Sequence, residues 1–394
     1  MEKKSDNVLV GIAFLTFIGF GLNAGLMGVT WPSMRDTFGV GDDAYGVLTI
    51  ASMVGSLVIT FYSGALIERF GIGILLLVSC VIGGLGFLGY VAVGTWGAII
   101  ALKLVTAAGT ALLNPGINAY FATHESAGRM NWLHACFGLG ATLSPAAMTR
   151  LLASGASWRL GYVLVGVSYF VLAVAFGLTL RRWPGMRPGE QISGPAPGRA
   201  PNTLAKRTLA LPAVWLSLAM FFAFTGMESS SGQWSYTLFT EGRGIDAAAA
   251  GGWVSVYWAC MTVGRIFFGI VVGRIKASTL VRLCMAGVVL GAGAIWLVPL
   301  PMVGFVGLAL TGFCLAPLFP VLTSNTPQRL GSEHAAKAIG YQITAVKLGL
   351  ALIPALGGVL SEQVGVEAIG PFLFILSLVM LFLHEATQRI KSDA

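Results

Sequence analysis

Apolar runs of about twenty residues, the length that crosses the hydrocarbon core of a bilayer, recur along this chain from end to end. On that ruler, spans fall near 8–30, 44–67, 72–92, 96–120, 131–152 and 158–180. A second set falls near 211–239, 248–272, 277–298, 302–325, 334–360 and 366–385. Twelve such segments leave little chain to face water. Of the 394 residues, 56% are hydrophobic and 10% charged, whereas a soluble domain carries about 25% charge. A soluble enzyme, a nucleic-acid binder and a disordered scaffold are therefore excluded as readings. The 53 glycines suit helices that approach one another closely in lipid. The first run, from Val8, is too long for a signal-peptide core and reads as a retained span.

Charge placement orients the spans. With the N-terminus inside, seventeen of the 24 Lys and Arg fall in inside segments. Arg35, Arg150, Arg159 and Arg243 fall outside, and Lys103, Arg265 and Lys347 fall within spans. The positive-inside rule then places both termini in the cytoplasm of a multi-pass protein of the cell (inner) membrane. The net charge of +8 becomes a topological signal with no nucleic acid implied. Cys80, Cys136, Cys260, Cys284 and Cys314 sit in apolar stretches without metal-ligand spacing, so neither a disulfide nor a metal is expected.

The polar stretch Arg181–Ala210, rich in Pro, Gly, Ser and Arg, divides the chain in two. The expected organisation is a six-helix bundle over 1–181, a cytoplasmic linker over 182–210, and a second six-helix bundle over 211–394. Shifting one half against the other by 205 residues aligns Arg69 with Arg274, Gly64 with Gly269 and Asn23 with Glu228. It also sets Leu113-Asn114-Pro115-Gly116 on Leu318-Phe319-Pro320-Val321. At a shift of 209, Gly140 and Pro145 meet Gly349 and Pro354, as four extra loop residues would produce. Parallel repeats of this kind imply two pseudo-symmetric bundles around a midplane site.

Twelve spans split by a long linker, with Gly64-Ala-Leu-Ile-Glu68-Arg69-Phe-Gly71 between spans two and three, resemble the major facilitator superfamily. Glu68 stands where that family's loop signature usually has Asp, and Lys103 where its fourth span commonly has Arg. Two longer strings narrow the likeness. Asn131-Trp-Leu-His134-Ala-Cys-Phe137-Gly138-Leu-Gly140, ending at Pro145, resembles the fifth span of the fucose–galactose–glucose:proton symporter family. Gly226-Met-Glu228-Ser-Ser-Ser-Gly232-Gln-Trp234-Ser-Tyr236, with Val256-Tyr257-Trp258 and Gly264-Arg265, resembles its seventh and eighth spans. The resemblance implies the all-α major facilitator fold and secondary transport. It also implies Glu68 and Arg69 as gating or structural residues, and proton-coupled symport of a sugar. Related symporters tend to carry an acid in span one or four; both spans here are acid-free, which moves the candidate proton site to Glu228.

Ionisable groups at bilayer depth mark pathways or pairs. Glu228 is the one acid placed within a span. It either loads and releases a proton or stays ionised beside Lys347. Lys347 is then its partner, a substrate ligand, or a lock between the bundles. Arg265 and Lys103 read as gating or packing groups. Asn131, His134, Gly138 and Thr142 share one helix face and either line a cavity or bond neighbouring helices. Asn23, Asn114 and Asn118 supply further amides, and Pro115 frees backbone carbonyls between the last two. Gln233, Trp234, Tyr257 and Trp258 offer the apolar plate and polar rim that a sugar ring needs; the alternative is an interfacial aromatic belt.

The expected function is secondary active transport of a small polar solute, a sugar foremost, by alternating access with protons as coupling ion. The alternatives are export of amphipathic compounds and transport of an organic anion held by Lys347 and Arg265. No nucleophile set, metal cluster or ATP-binding loop is evident, so an enzyme and a cofactor are not expected. A monomer in the lipid bilayer is the expected assembly.

Overall fold

The computed structural model describes residues 6–183, 202–271, 274–298 and 300–389, with residues 64, 68, 127, 202, 203 and 332 described in backbone only. Every regular element among them is helical. The first seven helices are α1 (Asn7–Phe38), α2 (Ala44–Phe70), α3 (Ile72–Ala92), α4 (Trp96–Thr110), α5 (Leu113–His124), α6 (Ala127–Ala153) and α7 (Arg159–Leu178). After the linker come α8 (Asn202–Leu209), α9 (Pro212–Thr237), α10 (Ala247–Val271), α11 (Ala277–Leu297) and α12 (Pro301–Leu315). The chain finishes with α13 (Leu318–Ser324), α14 (Thr326–Leu330), α15 (Ser332–Val364) and α16 (Ile369–Arg389).

Ten helical segments are long and apolar enough to cross a membrane, with α4–α5 and α12–α13 each counting as one. The helices α6 and α9 are not among the ten, yet at 27 and 26 residues each reaches about 40 Å at ~1.5 Å per residue. They are more polar because they carry Asn131 and His134, and Glu228, Ser229–Ser231 and Gln233. The fold is that of an all-α multi-pass membrane protein with twelve spans.

Two compact units emerge, one of residues 1–40 and 50–197, the other of 41–49 and 198–394. The turn before α2 and its first turns thus group with the second unit. There Ser361 donates to Asp42 at 2.6 Å, and the Asp42 N–H donates to Glu362 at 2.7 Å. Residues 184–201 of the expected linker over 182–210 lie outside the described residues.

The repeat is written into the helix starts. Those of α1, α3, α4, α5 and α6 precede those of α9, α11, α12, α13 and α15 by 205 residues each. Pro115 and Pro320 explain why the fourth and tenth spans are each broken in two. A helical Pro lacks the N–H that would bond residue i−4, and its ring crowds that carbonyl. The breaks fall at that i−4 position and its successor, Ala111–Leu112 and Ala316–Pro317. The four extra residues between Gly140 and Gly349 are not in a loop, as the sequence suggests. Because α6 and α15 begin at the same repeat position, the insertion lies inside α15 as about one extra turn of ~3.6 residues.

Glycines set the same crossing in both units. In the first, α1 meets α6 so closely that a methyl on Gly21 would strike the Phe137 carbonyl, and one on Gly140 the Ile18 carbonyl. In the second, α9 meets α15 with Gly226 against Ile353 and Gly349 against the Phe222 carbonyl. Such contact needs hydrogen in place of Cβ. At the linker end of the first unit, Asp6 caps α1 by accepting from the Val8 N–H at 3.0 Å. Arg129 there pairs with Glu125 at 2.7 Å and donates to Asn7 at 3.1 Å.

Candidate functional site

In the second unit the polar residues converge on α9 and α10. Glu228 lies sixteen residues into α9, about 24 Å from its start at ~1.5 Å per residue, with a mostly buried side chain. The Arg265 guanidinium of α10 stands 3.8 Å from its carboxylate and also donates toward the Met261 sulfur at 3.5 Å. Tyr257, fully buried on α10, donates its hydroxyl to the Glu228 backbone carbonyl at 2.8 Å. Gly232 makes this possible, since any Cβ there would collide with the Trp258 ring. The helix pair therefore carries a carboxylate, its counter-charge and a hydroxyl tie in one place.

The reading of the aromatic residues is corrected here. Trp234 is 0% exposed. Its indole N–H donates to the Pro354 carbonyl of α15 at 2.9 Å, and Tyr45 packs edge-on against it at 5.4 Å. The Pro354 carbonyl thus takes the indole N–H as a donor from outside its own helix. It is a packing residue in this structure and offers no open plate. Tyr257 and Trp258 are likewise buried, at 0% and 7% exposed. What remains polar and unsatisfied nearby is a set of groups on α9 and one on α10. The hydroxyls of Ser230, Ser231 and Thr237, the Gln233 amide nitrogen and the Trp258 indole nitrogen are buried without a hydrogen-bond partner among the described residues. Lys347 lies half-buried on α15.

The first unit presents amides. On α5, Asn118 donates to the Asn114 side-chain and backbone oxygens at 2.5 and 2.9 Å, which spends the Asn118 donor and leaves the exposed Asn114 amide nitrogen open. Asn131 and His134 are exposed on α6, and the His134 ring meets Phe17 edge-on at 5.6 Å. Further along that face, Thr142 bonds back to the Gly138 carbonyl at 2.8 Å. Asn23 is half-buried on α1. Lys103 is half-buried on α4. Arg69 is exposed over the Phe70 ring at 5.3 Å, and the Glu68 side chain lies outside the described ones. Gly71, at φ 75°, closes α2 in a conformation open to glycine, which accounts for the last position of the Gly64–Gly71 string. Among the described residues, no group of three or more His, Cys, Asp or Glu converges to hold a metal.

The family model of the Major Facilitator Superfamily matches residues 12–324, from the first span through the tenth. The chain belongs to the major facilitator superfamily. It is thereby a multi-pass membrane transporter. Among curated members, it is 24% identical over 312 residues to an uncharacterised MFS-type transporter of Yersinia pestis, covering 76% of each chain. It is 24% identical to the 3-(3-hydroxy-phenyl)propionate transporter of Escherichia coli over 98% of this chain and 96% of that one. With Bypass of stop codon protein 6 of Saccharomyces cerevisiae it is 25% identical over 46% of this chain, and the match spans 38% of that protein's length. Solved major facilitator structures share the fold. A variant of the nucleoside transporter NupG superposes with a TM-score of 0.78 at 13% identity, covering 96% of this chain and 99% of that one. A variant of the E. coli fucose:proton symporter does so with 0.62 at 13% identity, covering 96% and 98%.

Sequence reasoning placed Arg265 apart from Glu228. Counting ~1.5 Å per residue, Arg265 lies about 14 Å from Arg274 at the inside end of its span, while Lys347 matches the depth of Glu228 at about 22 Å. The 3.8 Å contact nonetheless joins Arg265 to Glu228, and the length of the Arg side chain contributes to that reach. A usable signal did exist: Glu228 is the one acid in the sequence that lies well away from the span ends, and Arg265 sits on the neighbouring span.

Proposed function

We propose that this major facilitator protein is a proton-coupled symporter of a small polyhydroxylated solute, a sugar, with Glu228 as the proton-carrying group. The observation that carries the reading is the half-screened carboxylate of Glu228 with Arg265 at 3.8 Å. Protonation of Glu228 would release Arg265, and deprotonation would recapture it, so one proton switches the bonding of two helices. The amides of Asn23, Asn114, Asn118 and Asn131, His134, and the unsatisfied Gln233 amide would supply the solute's hydrogen bonds. Kinship to the fucose–galactose–glucose:proton symporters rests on the Asn131–Pro145 and Gly226–Tyr236 strings, and nucleosides share the same hydroxyl chemistry. Alternating access, a monomeric state, both termini in the cytoplasm, the linker over 182–210 and residence in the inner membrane belong to the same proposal. Glu68, Arg69 and Lys103 are assigned to gating or packing.

A second reading, transport of an organic anion, is favoured by the two span cations Arg265 and Lys347 and by the similarity to the phenylpropionate transporter. Uptake into proteoliposomes under an inward proton gradient, with sugars, nucleosides and aromatic carboxylates as competitors, separates the two. Gradient-driven uptake that sugars compete for and that Glu228→Gln abolishes supports the proposal. Uptake indifferent to the gradient rejects the coupling, and competition by carboxylates alone moves the assignment to the anion.

A further inference from the structure

At the end of the second unit where α9 begins, the structure holds a cavity of about 190 Å³ that the transport reading does not use. It lies between the first turns of α9 (Ala213, Ser217), the short α14 (Thr326, Arg329), Gln342 of α15 and His384 of α16. No Asp or Glu lines it. Arg329 is half-buried there, with neither an ion pair nor a hydrogen bond among the described residues. Burial holds its guanidinium below the ordinary arginine pKa. The nearby acids are committed elsewhere. Glu385 forks onto Arg282 at 2.6 and 2.8 Å, and Glu333 faces Arg207 at 3.4 Å.

A second observation points the same way independently. His384 is 1% exposed, with the Ser278 backbone as the partner of one ring nitrogen and no partner for the other among the described residues. Buried imidazole nitrogens are costly to leave unbonded. The polar wall is otherwise organised: the Gln342 amide donates to Ser217 at 2.5 Å and to Thr326 at 3.1 Å. In the first turn of α9, Pro212 has no N–H and the Val214 N–H bonds the Leu211 carbonyl at 3.0 Å, which leaves that of Ala213 at the positive end of the helix dipole.

We infer that this cavity binds a phosphate-type oxyanion, with the Arg329 fork as its anchor and the open His384 nitrogen as a second contact. A guanidinium matches phosphate bidentately. Donors arriving from α9, α14 and α16 surround a tetrahedral anion better than a planar carboxylate with two oxygens on one edge. The phosphate comes either as the free ion or as a lipid headgroup. The site is separate from Glu228 and Arg265, so it stands or falls independently of the transported solute.

The test is thermal unfolding of the purified full-length protein in detergent, titrated with inorganic phosphate at constant ionic strength, with acetate in parallel. Native mass spectrometry of the same preparations reports retained phospholipid. Wild-type protein should gain several degrees with phosphate and less with acetate. Arg329→Gln should raise the half-saturating phosphate concentration at least tenfold, and Arg329→Lys, which keeps the charge but loses the fork, by a smaller factor. If the headgroup is the source, wild type retains a phospholipid that Arg329→Gln has lost. Equal phosphate responses in wild type and both variants would overturn the assignment. So would acetate matching phosphate, or the absence of both a phosphate response and an Arg329-dependent lipid. Should Arg329→Gln not yield folded protein, Arg329→Lys carries the comparison alone.

Discussion

Arg265 reaches across from α10 to stand 3.8 Å from the Glu228 carboxylate of α9, while Tyr257, two turns away on α10, bonds the backbone carbonyl of that same Glu228. One acid thus ties two helices through both its side chain and its main chain. The side chains are 18% and 33% exposed, so the pair is neither a surface bridge nor a sealed one. Its coupling should fall between the two regimes, at about 1–2 kcal/mol. Glu228→Gln leaves Arg265 without its counter-charge and should destabilise by roughly that amount. Glu228→Gln combined with Arg265→Gln should recover most of it. A double-mutant cycle of thermal unfolding measures the coupling, and additive losses would remove the pair from the account of stability.

Tyr257→Phe deletes only the hydroxyl that donates to the Glu228 carbonyl and keeps the buried ring. Interhelical hydrogen bonds in membranes average about 0.6 kcal/mol and rarely exceed ~1.7. A loss within that range is expected in unfolding measurements. A larger loss, above about 3 kcal/mol, would mean that the hydroxyl holds more than this one bond. The proton-driven component of uptake should persist, because the Glu228 carboxylate and Arg265 remain.

Trp234→Phe separates packing from binding. The change removes the N–H that donates to the Pro354 carbonyl and leaves a small void against Gly357 and Gly358. About 0.6 kcal/mol of stability, and at most ~1.7, should go with the lost interhelical bond and more with the void. The solute KM should stay within about twofold of wild type, since the ring is sealed in the second unit. A tenfold rise in KM at unchanged Tm would return Trp234 to the binding site.

Much of this fold was legible in the chain because lipid leaves few choices. Every span must be helical to satisfy its backbone, and the 205-residue shift survives in helix starts such as Ile72 and Ala277 or Trp96 and Pro301. Pro115 and Pro320 announced their breaks by the same chemistry. The candidate site was less legible. Depth along a straight helix pairs Glu228 with Lys347 and gives no sign of the 3.8 Å approach of Arg265. Trp234 read as a sugar plate because its neighbours Gln233 and Tyr236 are polar. Nothing on α9 itself reveals that its indole meets a proline carbonyl 120 residues later. Linear spacing records which residues share a face of one helix, and it is silent on which helix that face meets.

The glycine crossings give the sharpest test of the repeat. Gly140 and Gly349 occupy equivalent positions in α6 and α15, and each Cβ would meet a backbone carbonyl, of Ile18 and Phe222 respectively. Backbone cannot rotate away as a side-chain tip can, so Gly140→Ala and Gly349→Ala must each push two helices apart. Overpacking of this kind costs about 1–3 kcal/mol, which exceeds the gain of up to ~1 kcal/mol from replacing a helical glycine. Gly269, also helical, has nothing within 4 Å of its would-be Cβ, so Gly269→Ala should be neutral or slightly stabilising. Fluorescence-detected size exclusion after graded heating ranks the three variants. Gly140→Ala and Gly349→Ala should both fall well below wild type, and by similar amounts, since the two crossings share one geometry. If either behaves like Gly269→Ala, the close crossing in that unit is wrong.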